Sequence, residues 1–148
     1  MKRKIVILAE KNLGPLTSKM ANGAIRYLND EVVAVIDSSN AGKTVQEVLR
    51  FGGEIPIYES IDEAMSLSPN ALLIGISPPG GKFPSEWYPL LITALQNRLN
   101  IISGLHDFLD DIVEFRVLAD KYNVIMSLSN AVPVALILST ISSTSVLL

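Results

Sequence analysis

The sequence predicts an α/β domain: a doubly wound, mainly parallel sheet of five or six strands with helices on both faces. Three observations carry that expectation. Short runs rich in Val and Ile recur along the chain, helical patterns fall between them, and 148 residues suit one domain with a single core. The runs are continuous rather than alternating, which is how strands covered on both faces read.

The first strand is expected over residues 5–9, Ile-Val-Ile-Leu-Ala, behind the basic start Met1-Lys2-Arg3-Lys4. Glu10 and Lys11 stop the run short of the ~7 to 15 apolar residues of a secretory signal, so it reads as a buried strand. A helix over 17–28 places Met20, Ala24, Ile25 and Leu28 on one stripe. Strand two spans 32–36, and a helix over 44–51 turns Val45, Val48 and Leu49 to one side. Strand three covers 55–58. Ser60-Ile61-Asp62-Glu63 has the form of a capping box, in which serine and glutamate satisfy each other's free N–H groups, and opens a short helix to about Leu67. Strand four covers 71–76. Ser85 is the expected N-cap of the longest helix, to about Arg98, with Pro89 near its first turn, where a missing N–H costs little. Strand five covers 100–103, and Trp87 and Tyr88 are expected to pack the long helix. About five strand–helix alternations with right-handed crossovers make a Rossmann-like arrangement the simplest topology.

Beyond Lys121 the sequence has no charged residue. Residues 123–128 can form a final strand, while the apolar, Ser/Thr-rich stretch 131–148 is atypical of the rest. As a membrane span it would reach only about 27 Å and is interrupted by Pro133. The alternatives are that it packs on the sheet, or that it reflects truncation or an altered reading frame. The expected division is a Rossmann-like domain over 1–122 followed by a final strand and uncharged tail over 123–148.

Composition narrows function. With 12 Lys+Arg against 15 Asp+Glu the chain is net negative and lacks the basic surface that a phosphate backbone rewards. Nucleic acid and membrane are therefore not expected partners. The absence of cysteine removes disulfides, thiolate zinc sites and a cysteine nucleophile, and a single histidine removes His-pair metal motifs. No metal is expected, and the location is expected to be cytoplasmic.

In an open parallel sheet, ligands bind beyond the carboxyl ends of the strands. The turns that leave strands here carry Glu10 to Gly14, then Asp37 to Lys43, then Ser77-Pro78-Pro79-Gly80-Gly81-Lys82, then Gly104-Leu105-His106-Asp107. Gly42-Lys43-Thr44 ends like a P-loop, but the position of the leading glycine holds Asp37, whose carboxylate would repel phosphate. Lys43 then either holds an anion with the following helix start or is a solvated lysine. Asp37 stands where a dinucleotide fold places its ribose-binding acid, yet the glycine-rich loop is missing: between Glu10 and Lys19 only Gly14 is present, beside Pro15. A capping role for Asp37 stays open. Gly80-Gly81 could form an anion-binding concavity or a plain turn. Gly75-Ile76-Ser77 is followed by Pro79 where a nucleophile elbow needs glycine, which argues against a serine hydrolase. His106, after Gly104, is either a proton carrier near neutral pH or a structural residue. Asp107, Asp110 and Asp111 read as the acidic first turn of a helix.

The strings Lys19 to Tyr27, Val35-Ile36-Asp37-Ser38 with Ala41-Gly42-Lys43-Thr44, Gly75 to Gly81 with Glu86-Trp87, and Ser103 to His106 together resemble the N-terminal Rossmann-like domain of a two-domain family. That family includes D-glutamate N-acetyltransferases and has a P-loop nucleotide-binding domain as its second half. The resemblance covers roughly residues 3–122. It implies Lys19, Arg26, Asp37, Gly80, Gly81 and His106 as motif positions. The expected ligand is an anionic small molecule, while acetyl-CoA or a nucleotide as cofactor, and a homo-oligomer, stay open. Met126 to Asn130 departs from the family's Asp-x-Arg-Lys-Pro-like string, so the isolated chain is expected to lack turnover. Two other readings stand beside it: a non-catalytic interaction module, and a coenzyme A-binding domain, whose pattern Pro56, the helix start at Ser60 and the Pro-Pro-Gly-Gly turn resemble more loosely.

Overall fold

The structure is a computed structural model that describes residues 3–76, 83–103 and 109–128. Six strands, β1 (Ile5–Leu8), β2 (Val32–Ile36), β3 (Ile57–Tyr58), β4 (Ala71–Ile74), β5 (Asn100–Ser103) and β6 (Met126–Leu128), form one parallel sheet in the order β3-β2-β1-β4-β5-β6. This is the Rossmann-like doubly wound order, with the chain reversing direction across the sheet between β1 and β4. Every residue of β1 and β4 is buried, which explains why those runs are apolar without alternation.

The helices are α1 (Lys19–Tyr27), α2 (Val45–Leu49), α3 (Ile61–Ala64), α4 (Tyr88–Gln96) and α5 (Val113–Tyr122). Ile25 of α1 and Val45 of α2 meet around Gly52, while α3 packs against α4 and α4 against α5. Each group covers its own face, so the core has two halves. One centres on Ala21, Ile25 and Val45, the other on Leu91, Leu95 and Phe115.

Four sequence expectations need correction, two of them at α4. Ser85 is not the cap of α4: it opens a 3-10 turn (Ser85–Trp87) entered from Pro84, and α4 begins at Tyr88 behind Trp87, with no side-chain cap. Burial of the Trp87 indole edge-on to Phe83, centroids 5.6 Å apart, draws that first turn inward. Among the described residues the longest helix is α5, with 10 residues, not α4, with 9.

The third strand is shorter than its apolar run: Pro56 O still accepts Val35 N–H of β2 at 3.0 Å, but Ile55 and Pro56 also pair with residues 44–45. Val45 N–H donates to Ile55 O at 2.9 Å, and Thr44 bridges Pro56 in antiparallel sense. Ser60 accepts from Glu63 N–H at 3.3 Å as expected, but the Glu63 carboxylate receives the N–H of Glu59 rather than that of Ser60. Among the described residues, no helix is long and apolar enough to cross a membrane.

Candidate functional site

Strand register levels one edge of the sheet. Leu8 pairs with Ile36 on one side and Ile74 on the other, Ile36 with Tyr58, Ile74 with Ser103, and Ser103 with Leu128. Every strand therefore ends in the same row, and the exit loops leave from one rim, where such folds bind ligands.

The loop after β1 is closed by its own polar groups. Lys11 takes a left-handed turn, φ 60°, and Asn12 N–H donates to Ala9 O. Gly14 N–H donates to Ser18 Oγ at 3.1 Å, and Ser18 Oγ lies 3.0 Å from Gly14 O and 2.9 Å from Asn22 Oδ1. Asn22 Nδ2 donates to the carbonyls of Gly14 and Pro15. Ser18 and Asn22 are both buried, and they do the tightening that a glycine-rich turn does elsewhere. Gly75 then brings the end of β4 against the start of α1, with Ala21 N–H donating to Gly75 O at 2.9 Å.

Two carboxylates cross-link the loops after β1 and β2. Asp37, fully buried, accepts from Lys11 N–H at 2.9 Å, Ser39 N–H at 3.0 Å, Ser39 Oγ at 2.6 Å and Asn40 Nδ2 at 2.8 Å. Glu10 answers from the other loop, accepting Ser38 N–H at 2.8 Å and Ser38 Oγ at 2.7 Å. Asp37 also caps the 3-10 turn Ser38–Asn40, in keeping with the capping reading.

Gly42, at φ 91°, turns the chain so that residues 42–44 run beside β3. Gly42 N–H donates to Ile57 O, Lys43 N–H to Asn40 O, Gln46 N–H to Gly53 O and Glu47 N–H to Thr44 O. These four amides are thus committed to carbonyls rather than open to a phosphate. What Lys43 can offer a ligand is its exposed ammonium, beside an open cleft of about 310 Å³ that Tyr58, Glu59 and Glu63 also line.

Lys19 is exposed on the first turn of α1, at the rim. Arg26 is exposed at the other end of α1, its guanidinium 4.1 Å above the Phe51 ring, so Lys19 and Arg26 are not brought together. Gly80, Gly81, Gly104 and His106 lie outside the described residues. Among the described residues no group of three or more His, Asp or Glu side chains could hold a metal ion. Sequence reasoning passed over Ser18, Asn22 and Glu10. The signal for Asn22 was present, a polar residue facing inward beside the apolar stripe of α1.

A family model described as a domain of unknown function, DUF1611_N, Rossmann-like domain, matches residues 38–127. The chain belongs to that family. Its DUF1611_N fold is similar to a DUF1611 family protein of Anabaena variabilis, with a TM-score of 0.73 and 32% identity over 78% of this chain and 33% of that one. Two D-glutamate N-acetyltransferases are similar in sequence. That of a Pseudoalteromonas species is 38% identical over 64 residues, 43% of this chain and 19% of that protein. That of Tritonibacter scottomollicae is 33% identical over 61 residues, 41% of this chain and 18% of that protein. The DUF1611_N chain thus spans under a fifth of these curated relatives. A homoserine dehydrogenase of S. aureus shares the fold, with a TM-score of 0.51 and 18% identity over 87% of this chain and 32% of that one.

Proposed function

We propose that this chain is the small-molecule-binding Rossmann-like domain of a D-glutamate N-acetyltransferase-like protein, and that it does not turn over alone. The observation that supports this reading best is the identity to two D-glutamate N-acetyltransferases in a domain whose strand exits share one rim. The ligand is anionic and sits in the crevice between the exits of β1 and β4, the switch point of the sheet. Lys19 faces it from the start of α1. Gly80, Gly81 and Gly104, in the segments that follow β4 and β5, offer backbone N–H groups. Gly42 and Lys43 border the cleft beside β3, and Arg26, at the far end of α1, takes no part. Transfer of an acetyl group to an amine requires the amine to lose a proton, and His106 is the group on this chain suited to accept it near neutral pH. D-glutamate as acceptor and acetyl-CoA as donor are the first ligands to test.

Thermal unfolding of the 148-residue chain with D-glutamate, acetyl-CoA or ATP tests the binding. At one hundred times Kd a single-site ligand adds about 2.7 kcal/mol, or roughly 5 to 10 °C in midpoint for a domain of this size. At least one of the three is expected to give a dose-dependent rise. No detectable acetyl transfer to D-glutamate is expected from the same chain, and robust turnover would overturn the second half of the proposal.

A second reading, a non-catalytic interaction or oligomerisation module, is favoured by the outer face of α5. Val113 and Val117, one turn apart, are both more than half exposed, and Ile125 beside β6 is 67% exposed. Flat ligand titrations together with a concentration-dependent mass in sedimentation would select it.

A further inference from the structure

We infer that this domain has closed its dinucleotide site with its own atoms, so that Asp37 is a positioning residue for the loops and not a ribose ligand. The inference rests on the fold and the hydrogen bonds, and it holds whichever ligand the β1–β4 crevice takes. A dinucleotide on this fold needs three things: a glycine turn that lets pyrophosphate approach the backbone, free N–H groups at the start of the first helix, and an accepting acid at the end of the second strand. The turn and the acid do not fit, and the helix start fits only in part.

The turn after β1 is filled by the Ser18 and Asn22 side chains folded onto Gly14 and Pro15. At the start of α1, Ala21 N–H is already spent on Gly75 O at 2.9 Å, which leaves the amides of Lys19 and Met20 to a ligand. The acid at the end of β2 has no exposed surface. Three of its four donors converge on Oδ1 and the fourth, Asn40 Nδ2, covers Oδ2. A ribose hydroxyl would have to displace Asn40 and enter a buried position. Glu10 doubles the closure by holding Ser38 from the opposite loop. The acid that elsewhere reads a ribose here receives a backbone N–H from the loop after β1, 26 residues away in sequence.

The test is NADH and NADPH titration of the whole chain, by nicotinamide fluorescence and calorimetry, alongside Asp37→Asn. The native chain is expected to show no saturable binding up to about 1 mM, the affinity range of incidental contacts. Asp37→Asn, which turns one acceptor oxygen into a donor facing Asn40 Nδ2, is expected to lower the unfolding midpoint by roughly 5 to 10 °C. It is also expected to reduce hydrogen-exchange protection of the Lys11 and Ser39 amides about tenfold or more. Should that variant fail to fold, Asn40→Ala opens the same lock more gently: the midpoint should fall by a few degrees and NADH should still not bind. Saturable NADH binding to the native chain overturns the inference. So does an Asp37→Asn protein whose midpoint and amide protection match the native ones. Neither result would touch the binding of D-glutamate or acetyl-CoA, so the two proposals fail separately.

Discussion

Gly75→Val is expected to be the most destabilising single change near the site, lowering stability by about 3 to 5 kcal/mol, from overpacking of one to three and the strain on two backbone hydrogen bonds of about one each. A Cβ on Gly75 would lie 2.6 Å from Ile7 Cγ2, 2.8 Å from Ala21 Cβ and 3.3 Å from Ala21 Cα. Neither neighbour can yield. Ile7 is in the middle of the sheet and fully buried, and Ala21 is fully buried on a helix whose N–H holds Gly75 O. Relief requires α1 to move away from β4, which strains the Ala21-to-Gly75 bond and the bond from Gly75 N–H to Leu8 O. Against a typical stability of ~5 to 15 kcal/mol this leaves a marginal protein, and urea unfolding would read it as a lower midpoint. Gly75→Ala should show a smaller loss of the same sign. A loss below about 1 kcal/mol for valine would mean that β4 and α1 are not packed this closely.

The sheet was legible in the sequence because its strands are buried on both faces, and β2 and β5 begin and end where their Val/Ile-rich runs do. The start of β3 was not, because Ile55 and Pro56 pair with residues 44–45, partners that the run itself does not disclose. Helix α5 left little trace. Phe115 and Ala119 face the core while Val113 and Val117 face outward, so its apolar residues surround the axis and no stripe stands out. Asp37 shows the same limit at the site. Its position at a strand end suits both a ribose ligand and a cap, and what separates them is a hydrogen bond from Lys11, which the spacing of Asp37's own loop does not disclose. Gly75 entered the sequence reading only through the strings Gly75-Ile76-Ser77 and Gly75 to Gly81; a glycine inside a strand run marks close backbone approach, but the sequence does not say which helix approaches.

Phe115→Ala is expected to cost about 3 to 5 kcal/mol for the side chain itself, with its edge-to-face ring pairs adding to that figure. Phe115 is fully buried, and its ring stands 4.9 Å from Tyr88 and 6.0 Å from Phe83, which in turn meets Trp87. This cluster fastens α5 to α4. Without it the unfolding midpoint should fall by roughly 10 °C, and amide protection should drop first in α5 and β6, whose place in the sheet follows from that helix. Val117→Ala, on the exposed side of the same helix, is the control and should change stability by no more than about 0.5 kcal/mol. The pair also bears on where the ligand sits. Residue 109, where the described chain resumes after the β5 exit, is fully buried and opens the turn into α5, so loosening α5 disturbs that exit and leaves the β1 and β2 loops with their own cross-links. A ligand-induced rise in midpoint that persists in Phe115→Ala would therefore assign the binding energy to the β1 and β2 loops. One that disappears while the protein stays folded would assign it to the exits of β4 and β5, since Phe83 follows the first and meets the Phe115 ring and residue 109 follows the second.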